Sequence, residues 1–293
     1  MNIQFVPDIL EWVASRTWVD LVHGHRPVVL HYQGRYKVPD GGADRLLELD
    51  GITRIIGSAL CHIPRPTGKT AGGGGGGQRR RLASAETARQ HMAPQLVYQP
   101  EEAQITRRAP LMMLRGFERG TLIHKQIEDL VLHDAAAFQR CHPHGLHPWA
   151  AASLRRLLAL GRRPFRSEFF VSWPSLGMAT KVDLVAVDQA GVIEFIELKT
   201  GYGRGAWTKS PPDAYWKVPA LHGLPCSPRI RACVQATMGA LMAVHMLRLP
   251  EGSYRAAILH IDEEEVVYEP IAPTFIAQQG VAIFEYLQAL RQA

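Results

Sequence analysis

A chain of 293 residues with 46% hydrophobic content can bury a sizeable core, and its length suits one large domain or one domain with an appendage. The formal net charge of +6 and sequence pI near 9.3 favour a polyanionic partner. Cys61, Cys141, Cys226 and Cys233 are scattered, and no basic segment followed by an apolar core opens the chain. A reducing intracellular compartment without a secretory signal is expected. The most apolar stretch, Ala232 to Leu249, contains Gln235 and His245 with Arg231 and Arg248 at its margins, so no membrane span is expected.

Residues 1–70 form an N-terminal region of unassigned role, with Asp8 to Val22 reading as a helix and Pro27 to Tyr36 as an extended segment. Gly68-Lys69-Thr70 stands beside the glycine run Gly72 to Gly77, but a phosphate loop needs glycine where this chain has Ile63. Residues 71–106, with Arg79-Arg80-Arg81, read as a low-complexity linker or long loop, its arginines a solvated tether in preference to a nucleic-acid contact. A third unit, residues 107–293, carries the chemistry.

Within it, Thr121 to Val131 presents Ile123, Ile127, Leu130 and Val131 on one helical face, with His124 at its edge. Cys141-His142-Pro143-His144-Gly145-Leu146-His147 suggests zinc at first sight, yet the spacings are not those of a structural zinc site. A proline-punctuated loop between two helices, the second from Trp149 to Leu160, is expected. Pro164 to Trp173 reads as a strand carrying Glu168 among aromatics, either paired to an arginine such as Arg166 or joining an acidic site.

Lys181 to Val187 and Val192 to Lys199, joined by Asp188-Gln189-Ala190-Gly191, predict a β-hairpin. Glu197 and Lys199 project to one side of their strand, Ile196 and Leu198 to the other, and Asp183 lies across the hairpin. Like charges about 4 Å apart repel by roughly 4 kcal/mol at an effective dielectric near 20, so two ionised acids here call for a divalent cation. Magnesium or manganese, one ion or two, suits oxygen ligands, and Lys199 can then orient or deprotonate a water.

The segment Tyr202 to Ser227 interleaves Arg204, Lys209 and Lys217 with Trp207, Tyr215 and Trp216, a pattern that suits stacking on a nucleic-acid strand as well as a packed cover. An apolar helix over Arg231 to Leu249 carries Gln235, whose amide needs a partner if buried. Ala256 to Ile261 and Val266 to Tyr268 predict a second hairpin, and Thr274 to Ala289 a closing amphipathic helix.

Asp183 followed by Glu197-Leu198-Lys199 resembles the PD-(D/E)xK nuclease motif, and the trailing Thr200-Gly201 is similar to the RecB-type exonuclease branch, including mitochondrial genome maintenance exonucleases. Gly120-x-x-x-His124 and Gln235 resemble further motifs of that branch; Val182 replaces the name-giving proline, and Gly239 stands where a tyrosine is usual. The resemblance covers about residues 115–250 and implies an α/β restriction-endonuclease-like core, a mixed β-sheet flanked by helices, with an N-terminal extension. It implies metal held by Asp183, Glu197, the Leu198 carbonyl, His124 and Glu168, with Lys199 positioning water and Gln235 the substrate or lysine. An iron-sulfur cluster is not expected, because the three late cysteines of some relatives have no counterpart after Gln235. The implied activity is exonucleolytic hydrolysis of DNA with single-stranded or free ends; a non-catalytic nucleic-acid-binding protein and a structure-specific endonuclease are the alternatives.

Overall fold

The computed structural model describes residues 30–32, 35–39, 46–63, 116–132, 135–201, 204–262 and 265–292. The expected Asp8–Val22 helix, the Gly68-Lys69-Thr70 segment and the 71–106 linker lie outside the described residues. The strands are β1 (Leu30–Tyr32), β2 (Arg35–Pro39), β3 (Leu46–Gly51), β4 (Cys61–His62), β5 (Arg163–Trp173), β6 (Met178–Val187), β7 (Ile193–Thr200), β8 (Tyr215–Trp216), β9 (Tyr254–Ile261) and β10 (Val266–Pro270). The longer helices are α1 (Gly116–Leu132), α2 (Ala135–Cys141), α3 (Pro148–Ala159), α4 (Pro228–Leu247) and α5 (Val281–Gln292).

The protein is α/β, with one mixed sheet flanked by helices. The predicted hairpin is β6–β7, and its turn closes because Asp188 Oδ1 accepts the N–H groups of Ala190 and Val192 at 2.9 Å each while Gly191 takes φ 80°. β5 pairs antiparallel with β6 along its length, and β7 pairs in parallel with β9. A parallel pair needs a crossover, which the segment containing α4 supplies. Ser227 Oγ caps α4 by accepting Ile230 N–H at 3.3 Å, and Pro228 fills the first turn, where a missing N–H costs nothing.

Alternation along the strands sorts the core. Leu184, Ala186, Ile196, Leu198, Ala257 and Leu259 pack with α1, α2 and α3, whereas Val185, Phe195, Ala256 and Ile258 pack with α4 and α5 on the other face. Among the described residues α4 is the one helix long and apolar enough to cross a membrane, but half of it is buried inside this fold. α5 begins at Val281, later than the expected Thr274, after a short helical turn and a π-helical turn over Ile276–Gly280. A side chain at Gly280 would collide with Leu241 and Thr237 of α4.

β1, β2 and β3 pair antiparallel in succession, and β3 joins β6 in parallel, Asp50 opposite Met178 and Gly51 opposite Ala179. β5 occupies one edge of β6, so β3 and β7 share the other, and β7 pairs only with Leu184 to Val187. Among the described residues, Thr180 to Asp183 therefore have no strand neighbour on that edge, a gap between β3 and β7.

Cys61 and Cys226, scattered in a sequence for which a reducing compartment is expected, form a disulfide across 165 residues, while Cys141 and Cys233 are free. The sequence separation concealed the pairing, which depends on the fold bringing β4 beside the segment that leads into α4.

Candidate active site

The acidic and basic side chains singled out by the hairpin converge on the gap in β6. Asp183, one position past the last β6–β7 pair, turns its Oδ2 to the backbone N–H of Leu198 at 2.7 Å. N–H and C=O of one strand residue share an edge, so the Leu198 carbonyl also faces the gap. Ser167 Oγ donates to the Asp183 carbonyl at 3.0 Å and fixes its main chain from β5.

Glu197 and Lys199 share a face of β7, as expected, and the Lys199 ammonium donates to the Glu197 carboxylate and, at 3.2 Å, to Gln235 Oε1 from α4. Gln235 thus has the partner its position demands. Gly239, one turn further along α4, would bring a Cβ to 3.3 Å from Val182 Cγ2. The helix runs close to β6 there, so a side chain at 239 would press on Val182.

α1 supplies His124 from the opposite face, its Nδ1 3.9 Å from Asp183 Oδ1. Gly120 explains how α1 comes so near, because any Cβ at that position would press into Thr200 Oγ1 at the end of β7. The Gly120-x-x-x-His124 and Lys199-Thr200 segments are therefore coupled by packing.

Glu168 takes φ 50°, an uncommon left-handed conformation for a side-chain-bearing residue, within a strand. It pairs with Lys181 at 3.2 Å and not with Arg166. Its charge raises the Asp183 pKa and opposes the lowering of the His124 pKa, so it stands beside the acidic pair.

Burial dominates the electrostatics. Desolvation pushes the Asp183 carboxyl up to about 7, Lys199 opposing and Glu168 reinforcing the shift. Desolvation and the neighbouring Asp183 push Glu197 up to about 8. His124 is held below its usual value by burial and then by Lys199, which keeps its imidazole neutral at pH 7. Two nearly buried carboxylates, a neutral imidazole and a free-facing carbonyl are donors that fit a hard divalent cation, and a cation would relieve the repulsion the acids feel. Among the described residues, no group of three His, Cys, Asp or Glu side chains is close enough together to form a ready-made metal cluster.

The loop after β7 departs from expectation. Trp207 is buried, its indole stacked on His260 at 4.2 Å and 3° and its Nε1 donating to Glu269 Oε1 at 3.0 Å. Trp216 is buried as well. Neither offers a face to a base, because the core has claimed the larger and more apolar aromatics. Tyr215 is 56% exposed, and Lys209 and Lys217 are exposed, Lys217 Nζ reaching the Ser58 carbonyl at 2.6 Å. The backbone of Arg204 opens a helical turn that ends at Trp207, and its side chain lies outside the described residues.

The segment from Cys141 to His147 joins α2 to α3, as expected, and its side chains take separate partners. His142 Nε2 meets Asp129 Oδ2 at 2.8 Å, and Asp129 and Glu128 also hold Lys125. His147 Nδ1 accepts Trp149 N–H at the start of α3. Cys141 and His144 are exposed.

Two neighbours of the site escaped sequence reasoning. Tyr36 of β2 packs against Phe170 at 5.5 Å and hydrogen-bonds to the Thr180 side chain and Lys181 backbone within the gap. His260 lies beside Lys199 in the β7–β9 register. Nothing in the weakly periodic N-terminal sequence marks Tyr36, and His260 interrupts an apolar strand without a recognisable spacing. In comparisons with known proteins, the chain matches no protein-family model and no curated protein.

Proposed function

We propose that the chain is a metal-dependent nuclease with a restriction-endonuclease-like core, which hydrolyses DNA phosphodiesters from single-stranded ends. The observation that carries the reading is the convergence of Asp183, Glu197, Lys199 and Gln235 where, among the described residues, the β6 edge between β3 and β7 has no strand neighbour. Asp183 and Glu197, with the Leu198 carbonyl and His124, would hold magnesium or manganese, and Glu168 would act beside them through Lys181. A bound divalent cation supplies Lewis-acid stabilisation of charge on the scissile phosphate and acidifies water.

Lys199 holds the attacking water from the Glu197 side, and its ammonium offsets charge growing on the phosphoryl oxygens. Gln235 Oε1 accepts a hydrogen bond from the Lys199 ammonium and fixes its orientation. The positive net charge supports a polyanionic substrate.

The test is degradation of end-labelled linear, closed circular and RNA substrates with magnesium, manganese or chelator. Release of nucleotides from linear single strands, lost in Lys199→Ala and with chelator, supports the reading. Cleavage of closed circles would favour an endonuclease, and absence of both cleavage and manganese binding a non-catalytic binding protein.

A further inference from the structure

The two segments that leave the sheet on either side of the β6 gap meet again. β3 ends at Gly51 opposite Ala179, β7 ends at Thr200, and the stretches that follow them pair as β4 and β8. Both continue into the core on the α4 side, where Leu60, Cys61, Trp216 and Cys226 pack with Val234 and Met238.

This short ribbon is sharply two-faced. Cys61 opposite Trp216 forms its buried pair, 1% and 2% exposed, and the Cys61–Cys226 disulfide pins that side. His62 opposite Tyr215 forms its outer pair, with rings stacked at 4.9 Å and 26° in open solvent. Burial therefore does not explain the aromatic at 215, whereas it does explain Trp207 and Trp216. Lys209 and Lys217 flank it, and Asp213 is the sole acidic residue from Gly201 to Pro228. Lys217 Nζ, fixed by Ser58, holds its charge beside the ribbon.

We infer that the His62–Tyr215 ribbon is a stacking platform for unpaired bases, which leads a single nucleic-acid strand to the gap where Asp183, Glu197 and Lys199 stand. The inference rests on the nuclease reading for its substrate. Aromatic faces beside cations bind single strands because every base has a π-face and every linkage a phosphate; a duplex buries its bases and offers only the phosphates. The platform is built from segments about 150 residues apart, so neither stretch carries the signal alone.

The test measures fluorescence anisotropy of labelled oligothymidylate, oligouridylate and a DNA duplex of equal length, in chelator so that nothing is cleaved. Tyr215→Ala should weaken oligothymidylate binding about tenfold, His62→Ala should weaken it in the same direction, and Tyr215→Phe should retain it. The oligouridylate arm reports whether the platform distinguishes RNA from DNA. Circular dichroism establishes folding, and His62→Ala serves if Tyr215→Ala fails to fold. Equal binding by the parent and folded alanine variants, tighter binding of the duplex, or no binding by the parent overturns the platform. Manganese calorimetry separates the two readings: a parent that binds oligothymidylate through Tyr215 but takes no manganese keeps the platform and loses the nuclease. One that takes manganese and cleaves with Tyr215 dispensable does the reverse.

Discussion

Leu198 donates its backbone N–H to Asp183 Oδ2 at 2.7 Å, just beyond the Leu184–Ile196 pair where the β6–β7 ladder stops. One carboxylate thus replaces a strand partner and supplies a negative charge. The two roles separate by substitution. Asp183→Asn retains an acceptor for Leu198 and removes the buried charge, so its melting temperature should match or exceed the parent's without metal, while manganese binding is lost. Asp183→Ala leaves the Leu198 N–H unpaired and should cost about 1–3 kcal/mol in denaturant unfolding. Equal stability of the two variants would refute the structural role.

The raised carboxyls set a pH dependence. Asp183 at about 7 and Glu197 at about 8 lie above their unfolded values, so between about pH 4 and 8 the folded metal-free protein holds more protons than the unfolded chain. Stability from these groups is therefore present at low pH and falls as pH rises through that window. Manganese must displace those protons, so its affinity should increase from about pH 6 to about pH 8.5 with measurable proton release. Calorimetry in two buffers of different ionisation enthalpy checks this, and a pH-independent affinity contradicts it.

Gly120 should tolerate no side chain while Thr200 keeps its hydroxyl. Gly120→Ala is expected to destabilise by about 1–3 kcal/mol through overpacking and to weaken manganese binding by shifting His124. Thr200→Ala in the same protein should recover much of the loss, since it removes the atom the new Cβ meets. A double-mutant cycle by chemical denaturation reads the coupling directly.

Trp207 and Tyr215, eight residues apart in one aromatic-rich segment, should behave oppositely because one is buried and the other exposed. Trp207→Ala removes a buried indole, its stack on His260 and its bond to Glu269, and should cost about 3–5 kcal/mol of stability. Tyr215→Ala should leave the melting temperature nearly unchanged.

The cysteines give a chemical check on the chain path. Mass spectrometry without reductant should recover a peptide linked through Cys61 and Cys226. Cys141, which is exposed, should alkylate quickly, and Cys233 slowly, because burial pushes its thiol up to about 11. Rapid alkylation of Cys226 in the native protein would contradict the pairing.

The sequence carried the hairpin, its turn and the split of Ile196 and Leu198 from Glu197 and Lys199, because these depend on alternation and on local turn chemistry. It also carried the helix bearing His124, through its one apolar face, and the helix bearing Gln235, through an apolar character around most of its circumference. What it could not carry depends on distant pairing. The β3–β6 contact, the gap it helps to frame, the Tyr36 hydroxyl in that gap and the Cys61–Cys226 disulfide all join segments more than a hundred residues apart. The aromatics of the loop after β7 were legible as chemistry but not as inside or outside, since that choice is made by His260, Glu269 and β4.

The most direct measurement is the rate at which purified protein degrades an end-labelled linear single strand in manganese, compared with Lys199→Ala. The account predicts release of nucleotides by the parent, its abolition by chelator, and a loss of about a hundredfold or more in the variant. Equal rates in parent and variant, or no manganese-dependent release by a folded parent, would contradict it.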